Sequence, residues 1–412
     1  MNLLATPTRR KVLFGFLYLS EGAPIGFIWL GMPTRMRTLD VPLDRITWLL
    51  ALLILPWTLK FLWAPVVDVL RGSRWGFKHW IMVCQSLMAL TLVPLWFLDL
   101  RTEFSVVAVW LLLHAISAAT QDVSIDALCI NASTPDERGA LNGWMQCGVL
   151  TGRAVMGGGS LVLERWIGFS GVVAVLIGLV LVSLVLLLGC REQVADRATD
   201  ETTRKIHSKH KDSWRKELVE LMRTRSMWIG LGFALLVPAA FKSLEAVLGP
   251  FLVDRGFDEF SIGTFTSTAM IAGMIGGSLL AGRLSMRMSA QRLVGLAVAG
   301  NVAAILALAA TDWIVGGDKS TELLVGLTMV AMTIGLLTVA LYNWLMNLTN
   351  PRLAATQFTA FMAATNACEA WSTAAVGQLQ GSLGYAGAMA ILCVVTGGAA
   401  VILLSLANHA EP

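Results

Sequence analysis

Eight ionisable side chains stand inside long apolar stretches of this 412-residue chain: Glu21, Lys60, Asp122, Asp126, Arg153, Lys242, Glu245 and Glu369. A charge at the centre of a bilayer costs at least ~2.5–3.5 kcal/mol on insertion scales. Such residues therefore usually face a bundle interior or a wetted cavity, where they carry protons or hold a charged solute. Asp122 and Asp126 are spaced i, i+4 and share one helical face. Two like charges on an inward face disfavour each other and hold a proton between them, unless a cation intervenes. Lys60 is that cation by depth. At the α-helical rise it lies roughly 12 Å from the cytoplasmic end of its segment, with the two aspartates within roughly 6–18 Å of the same side. Lys242 and Glu245 are i, i+3 neighbours and can pair. By the same count Glu21, Arg153, Lys242 and Glu245 fall at middle depths, and Glu369 lies closer to the outside. The competing reading of all eight is static interhelical ion pairs or snorkelling side chains.

The elements that carry these charges are membrane helices. Hydrophobic residues make up 56% of the chain and charged residues 14%, with a mean hydropathy of +0.69. A soluble domain carries about 25% charged residues, so this chain could cover a surface facing lipid but not one facing water. Apolar segments fall at 12–33, 45–67, 79–98, 104–130, 139–163 and 166–189, then at 227–253, 259–282, 291–311, 322–349, 353–376 and 384–406. The expectation is an all-α membrane protein of twelve transmembrane helices. It is organised as a six-helix bundle over 1–189, a cytoplasmic linker over 190–226 and a second six-helix bundle over 227–412. The linker holds ten Lys/Arg against seven Asp/Glu. Its stretch Trp214–Met222 has helical spacing of apolar residues and is expected to lie along the membrane surface.

Orientation follows from the basic residues. With a cytoplasmic N-terminus, 21 of the 31 Lys and Arg fall on the cytoplasmic side and seven on the other. That excess places both termini and the linker in the cytoplasm. No cleavable leader is expected, because the apolar run after Arg9-Arg10-Lys11 is too long for one. The six cysteines form no CxxC pair and read as isolated apolar thiols rather than a disulfide framework or metal site. His114, alone on an apolar face, reads as a packed residue. Gly22-Ala23-Pro24, Pro56, Gly157-Gly158-Gly159 and Pro238 interrupt the helical pattern and suit either flexure or tight packing.

The two halves echo each other. Pro33 precedes Leu39-Asp40 and Asp44-Arg45-Ile46 in the first, and Pro250 precedes Gly256-Phe257-Asp258 and Ser261-Ile262-Gly263 in the second. Basic loops follow the second and eighth segments. Paired six-helix halves around a central site are the architecture of major facilitator transporters.

The run Lys60-Phe61-Leu62-Trp63-Ala64-Pro65-Val66-Val67-Asp68 makes the resemblance specific. It resembles the second-helix signature of the peptide–acetyl-coenzyme A transporter family within the major facilitator superfamily, which includes anhydromuropeptide permeases, acetyl-coenzyme A transporters and some siderophore importers. Further matches follow in order: Gln121-Asp122-Val123-Ser124-Ile125-Asp126-Ala127, Pro135-Asp136-Glu137-Arg138-Gly139, Lys242-Ser243-Leu244-Glu245-Ala246 and Ala355-Thr356-Gln357-Phe358. Glu21-Gly22-Ala23-Pro24-Ile25-Gly26-Phe27 is closer to the siderophore-importer-like branch.

The resemblance implies a secondary active transporter, a proton-coupled importer of a medium-sized solute such as an anhydromuropeptide or a siderophore. Asp122 and Asp126 would be the proton-linked carboxylates, with Lys60 their counter-charge or a substrate anchor. Asp68 and Arg71 would stand at a cytoplasmic gate, where Asn350-Pro351 start the eleventh helix. Gln121 and Gln357 are family-motif positions. The alternative function is a drug or metabolite exporter of the same superfamily. An enzyme has no residues to stand on, since HExxH, GxSxG and Walker patterns do not occur. The expected partners are a small-molecule solute, protons and a lipid bilayer, without nucleic acid, metal or cofactor. The chain is expected to act as a monomer in a bacterial inner membrane.

Overall fold

A computed structural model describes residues 2–69, 75–133, 135–192, 222, 224–315, 318–349 and 354–408. Arg71, Asn350, Pro351 and nearly all of the linker, with its expected surface helix, lie outside the described residues. Among those described, the regular structure is helical throughout. Helix α1 spans Pro7–Thr38, α2 Leu43–Leu59 and the short α3 Ala64–Val69. They are followed by α4 Phe77–Leu92, α5 Phe104–Ala132, α6 Pro135–Met156 and α7 Gly158–Leu188. After the linker come α8 Arg225–Asp254, α9 Glu259–Ser285, α10 Ala290–Val315, α11 Thr321–Asn347 and α12 Ala354–Asn408. Nine of the described helices are long and apolar enough to cross a membrane.

Two of the long helices are each broken at a glycine in the left-handed region, Gly168 (φ 67°) in α7 and Gly384 (φ 69°) in α12. Both breaks fall where two apolar segments were expected to meet, so the helix pattern agrees with twelve expected spans. The other residues with positive φ among those described are Asp40 (φ 58°), after α1, and Gly256 (φ 77°), after α8. The intervals match, 40 to 256 and 168 to 384. The turn chemistry thus repeats between the halves, and at Gly168 and Gly384 only a residue without Cβ adopts the angle freely.

The described chain forms two compact units. The first consists of Met1–Pro42, Leu52–Arg197 and Phe257–Ser267, and the second of Leu43–Ala51, Ala198–Gly256 and Thr268–Pro412. Within the first unit, α1 lies directly on α6. Gly22 and Gly26 face the backbone of Val149 and Arg153, and Gly148 and Gly152 face that of Gly15, Leu19 and Ala23. A Cβ at any of these four glycines would fall 2.2 to 2.3 Å from a backbone atom. Each helix therefore carries a Gly-x-x-x-Gly stripe of the kind that lets membrane helices approach closely. In the second unit Gly277 and Gly335 hold α9 against α11 in the same way.

The expected helix breaks differ in kind. Helix α1 runs through Pro24 and departs from α geometry only afterwards, in a π-helical turn at Phe27–Gly31. There the Phe27 N–H reaches the carbonyls of both Ala23 and Pro24. Pro56 sits within α2, which tightens to a 3₁₀ turn at Lys60–Leu62. Pro238 does interrupt α8, and the side-chain oxygen of Thr396 accepts from the freed Ala240 N–H at 3.0 Å. Gly157 separates α6 from α7 with ψ near −96°.

Candidate functional site

In the first unit α1 and α5 bring one face each to a common point. Tyr18 and Glu21 are i, i+3 on α1, and Asp122 and Asp126 are i, i+4 on α5, so each pair projects from one side of its helix. The 3₁₀ turn at the end of α2 adds Lys60, whose ammonium is ion-paired with Asp122 Oδ2. Tyr18 Oη lies 2.6 Å from Asp126 Oδ1 and 3.2 Å from Asp122 Oδ1. Glu21 of α1 lies within electrostatic reach of Asp122 and Lys60. Glu21 Oε2 is buried with no hydrogen-bond partner among the described residues. Nearby on the same turn of α5, Trp63 Nε1 donates to Thr120 Oγ1 at 3.1 Å.

Three carboxylates and one ammonium therefore share a site that is largely buried. Asp122, Tyr18 and Glu21 are buried, whereas Asp126 is half-buried. In such a site a proton is the cheapest way to neutralise a surplus carboxylate, because an uncompensated buried charge costs several kcal/mol.

A second constellation stands in the second unit. Lys242 of α8 donates to Glu369 Oε2 of α12 at 2.7 Å and lies 3.8 Å from Glu245 Oε2. The Lys242 ammonium is 5.6 Å from the Phe241 ring centre, and Tyr342 is a further electrostatic neighbour. The expected i, i+3 pair with Glu245 is present, but the shorter bond crosses to the other helix.

Of the eight charges singled out in the sequence, the structure thus gathers Glu21, Lys60, Asp122 and Asp126 into one group and Lys242, Glu245 and Glu369 into another. Arg153 belongs to neither. It is exposed on α6, and among the described residues it forms no ion pair. Asp68 lies within α3, and Arg71 lies outside the described residues. Gln121 is fully buried, with both side-chain polar atoms lacking a hydrogen-bond partner among the described residues. Gln357 is buried and donates to the Leu348 carbonyl at 3.4 Å, next to the end of α11. His114 is buried beside Thr91 Oγ1 and the Met88 carbonyl, each 3.2 Å from its Nδ1. The cysteines are free thiols, and burial pushes the Cys190 thiol up to about 11.

Three features escaped the sequence reading. Tyr18 is the first, and scarcity was its signal. The chain has three tyrosines against 16 Phe and 15 Trp, and a phenol inside an apolar segment needs a polar partner. Arg255 and Asp312 are the second. Arg255 stands two residues past the expected span 227–253 and Asp312 one residue past the expected span 291–311. Two hydrogen bonds join them, the Arg255 Nη2–Asp312 Oδ2 contact being 2.7 Å. That bonding holds Arg255 protonated above its already high ordinary value. The third is Arg35, set between Glu164 and Glu259 at 3.3 Å from each, with Thr38 Oγ1 donating to Glu259 at 2.6 Å.

With this geometry in view, comparison with known proteins is decisive for the family. The model of the Major Facilitator Superfamily matches residues 14–373. The chain belongs to the Major Facilitator Superfamily. Within that superfamily it is 24% identical over 402 residues to the putative transporter AmpG 4 of Rickettsia conorii, covering 94% of each chain. It is 26% identical over 308 residues to the anhydromuropeptide permease of Escherichia coli K12, covering 73% of this chain and 60% of that one. Among solved structures, a D-xylose-proton symporter superposes with a TM-score of 0.76 at 11% identity, over 95% of this chain and 96% of that one. That last likeness concerns the fold alone. These relatives agree with the permease resemblance carried by the sequence motifs. The chain is a multi-pass secondary transporter of the major facilitator fold, and not an enzyme.

Proposed function

We propose that this transporter imports a muropeptide-like solute, driven by protons moving down their gradient. The observation that carries the proposal is the Lys60–Asp122 ion pair with Asp126, Tyr18 and Glu21 around it. A buried group with more carboxylates than cations loads and releases protons when its surroundings alternate between wet and dry. Asp122 and Asp126 are the proton-carrying pair, and Lys60 is the counter-charge that the proton displaces. Lys242, held by Glu369 and Glu245, anchors an ionised group of the solute. The names of the relatives favour an anhydromuropeptide over a siderophore as that solute. The chain works as a monomer in a bacterial inner membrane, with 1–189 and 227–412 as its two six-helix bundles and 190–226 as a cytoplasmic linker.

The test is uptake of a radiolabelled 1,6-anhydromuropeptide into proteoliposomes carrying the purified chain. Accumulation above equilibrium is expected with acid outside, and it should collapse with a protonophore. Equilibration without accumulation would refute proton coupling, and absence of any uptake would refute the solute. Orientation is tested separately. A cysteine introduced at Ser208 should label from the cytoplasm and one at Ser320 from outside, and the reverse at both sites would invert the topology.

A further inference from the structure

The contact between Tyr18 and the two aspartates has a stoichiometry that the ion pair alone does not. A phenol carries one hydrogen, yet Tyr18 Oη sits 2.6 Å from Asp126 Oδ1 and 3.2 Å from Asp122 Oδ1. That hydrogen can serve one of the two oxygens at a time. The other contact becomes a hydrogen bond only when its carboxyl brings a hydrogen of its own. Access differs too, because Asp126 is half-buried while Asp122 and Tyr18 are buried at 7% and 8% exposure. Asp122 is also the carboxylate that holds Lys60. The arrangement therefore runs from a wetter acid, through a phenol, to the acid that holds the cation.

The geometry points to Tyr18 as a relay and positioning residue that passes a proton from Asp126 to Asp122 and thereby releases Lys60. This rests on the proton-coupled reading above. The transfer balances with nothing added. The O–H bond of protonated Asp126 breaks as its proton goes to Tyr18 Oη. The original Tyr18 O–H bond breaks as that proton goes to Asp122 Oδ1. Asp126 ends ionised, Asp122 ends neutral, and Tyr18 is unchanged. Neutral Asp122 no longer compensates the Lys60 ammonium, which is then available to a carboxylate of the incoming solute. The charges acting on Tyr18 come from its own helix and from α5, with Lys60 beside them. The other charged groups of α4 and α7 (Lys78, His79, Glu164 and Arg165) are not among them. Glu21 lies on its own helix, Asp122 and Asp126 on α5, and Lys60 after α2. On α6, Arg153 is exposed and Glu137 is held by Arg10 at 2.7 Å.

The discriminating substitution is Tyr18→Phe, which keeps the ring and removes only the relaying hydroxyl. The first arm needs no solute. The reconstituted full chain is followed by time-resolved infrared spectroscopy of carboxyl bands after an acid jump, with Asp122→Asn and Asp126→Asn assigning the bands. In Tyr18→Phe the Asp126 band is expected to rise at the wild-type rate and the Asp122 band about a hundredfold more slowly, as for loss of a positioned proton-transfer group. Wild-type rates for both bands would overturn the relay. The second arm uses labelled 1,6-anhydromuropeptide, where the ratio of acid-driven accumulation to counterflow should fall by a similar factor. If the wild-type protein shows no acid-driven uptake, the transport reading fails while the infrared arm still decides the relay. Should Tyr18→Phe fail to insert, Tyr18→His keeps a group that both donates and accepts and should retain coupling that Tyr18→Leu loses. Equal coupling in those two would overturn the relay as well.

Discussion

The two charged groups of this transporter are built on different ratios. In the first unit one ammonium, Lys60, serves Asp122 while Asp126 and Glu21 lie on the same faces, and a phenol links the aspartates. In the second unit Lys242 is closed in by Glu369 at 2.7 Å and Glu245 at 3.8 Å. The surplus of acid in the first group can be met most cheaply by a proton. The second group has a smaller surplus, two acids to one ammonium, and both acids lie against that ammonium, an arrangement suited to holding geometry or a charged ligand. The same residue types thus suggest two tasks, proton handling in one unit and anchoring in the other.

The largest effect should come from Lys60→Met. It leaves Asp122 buried without its cation and is expected to abolish uptake while membrane insertion is largely kept, as measured by transport at matched membrane abundance. Near-normal transport would reduce Lys60 to a snorkelling side chain and remove the contrast between the units. Next come Asp122→Asn and Asp126→Asn, which fix the neutral, proton-loaded form. Each should lose uphill accumulation driven by a pH gradient. If both still accumulate solute, coupling lies elsewhere, with Glu21 and Glu245 the next to test. Lys242→Met should act on the other side of the comparison, raising the half-saturating solute concentration by about tenfold, the size of a 1.4 kcal/mol contact. The number of protons moved per solute should stay unchanged, and a change in that number would assign proton handling to both units. The smallest effect on transport is expected from Arg255→Gln. Stripping buried Asp312 of its partner should cost stability on the order of 3–5 kcal/mol, seen as a lower unfolding midpoint, with coupling intact.

Much of this organisation was legible in the sequence because membranes impose severe rules. An apolar run long enough to span must be helical, and a charge inside it must face something polar. Those rules picked out Glu21, Lys60, Asp122, Asp126, Lys242, Glu245 and Glu369 and paired the aspartates correctly by helical spacing. What they could not supply was the partner across helices. Lys242 looked complete with Glu245 three residues on, and its bond to Glu369 depends on how α8 packs against α12. Tyr18 was missed because a phenol is counted as hydrophobic until its hydroxyl is found buried against an acid. Arg153 is the one of the eight that joins neither group. Helix α6 turns its glycines toward α1, which leaves the neighbouring arginine exposed, and only the Gly148 and Gly152 stripe could have revealed that face. The proline at position 24 was expected to mark the irregularity in α1. The helix instead absorbs it, and the π-helical turn comes three residues later.

Proton coupling at this cluster requires that Asp126 and Asp122 carry a proton together with the solute. The direct measurement is proton flux in proteoliposomes without an imposed gradient, with internal and external pH dyes read as 1,6-anhydromuropeptide is added outside. Wild-type protein should make the exterior more alkaline as solute enters, while Asp126→Asn should admit no protons with it. Solute entry without alkalinisation by the wild-type chain, or unchanged alkalinisation by Asp126→Asn, would contradict the assignment of proton coupling to this cluster.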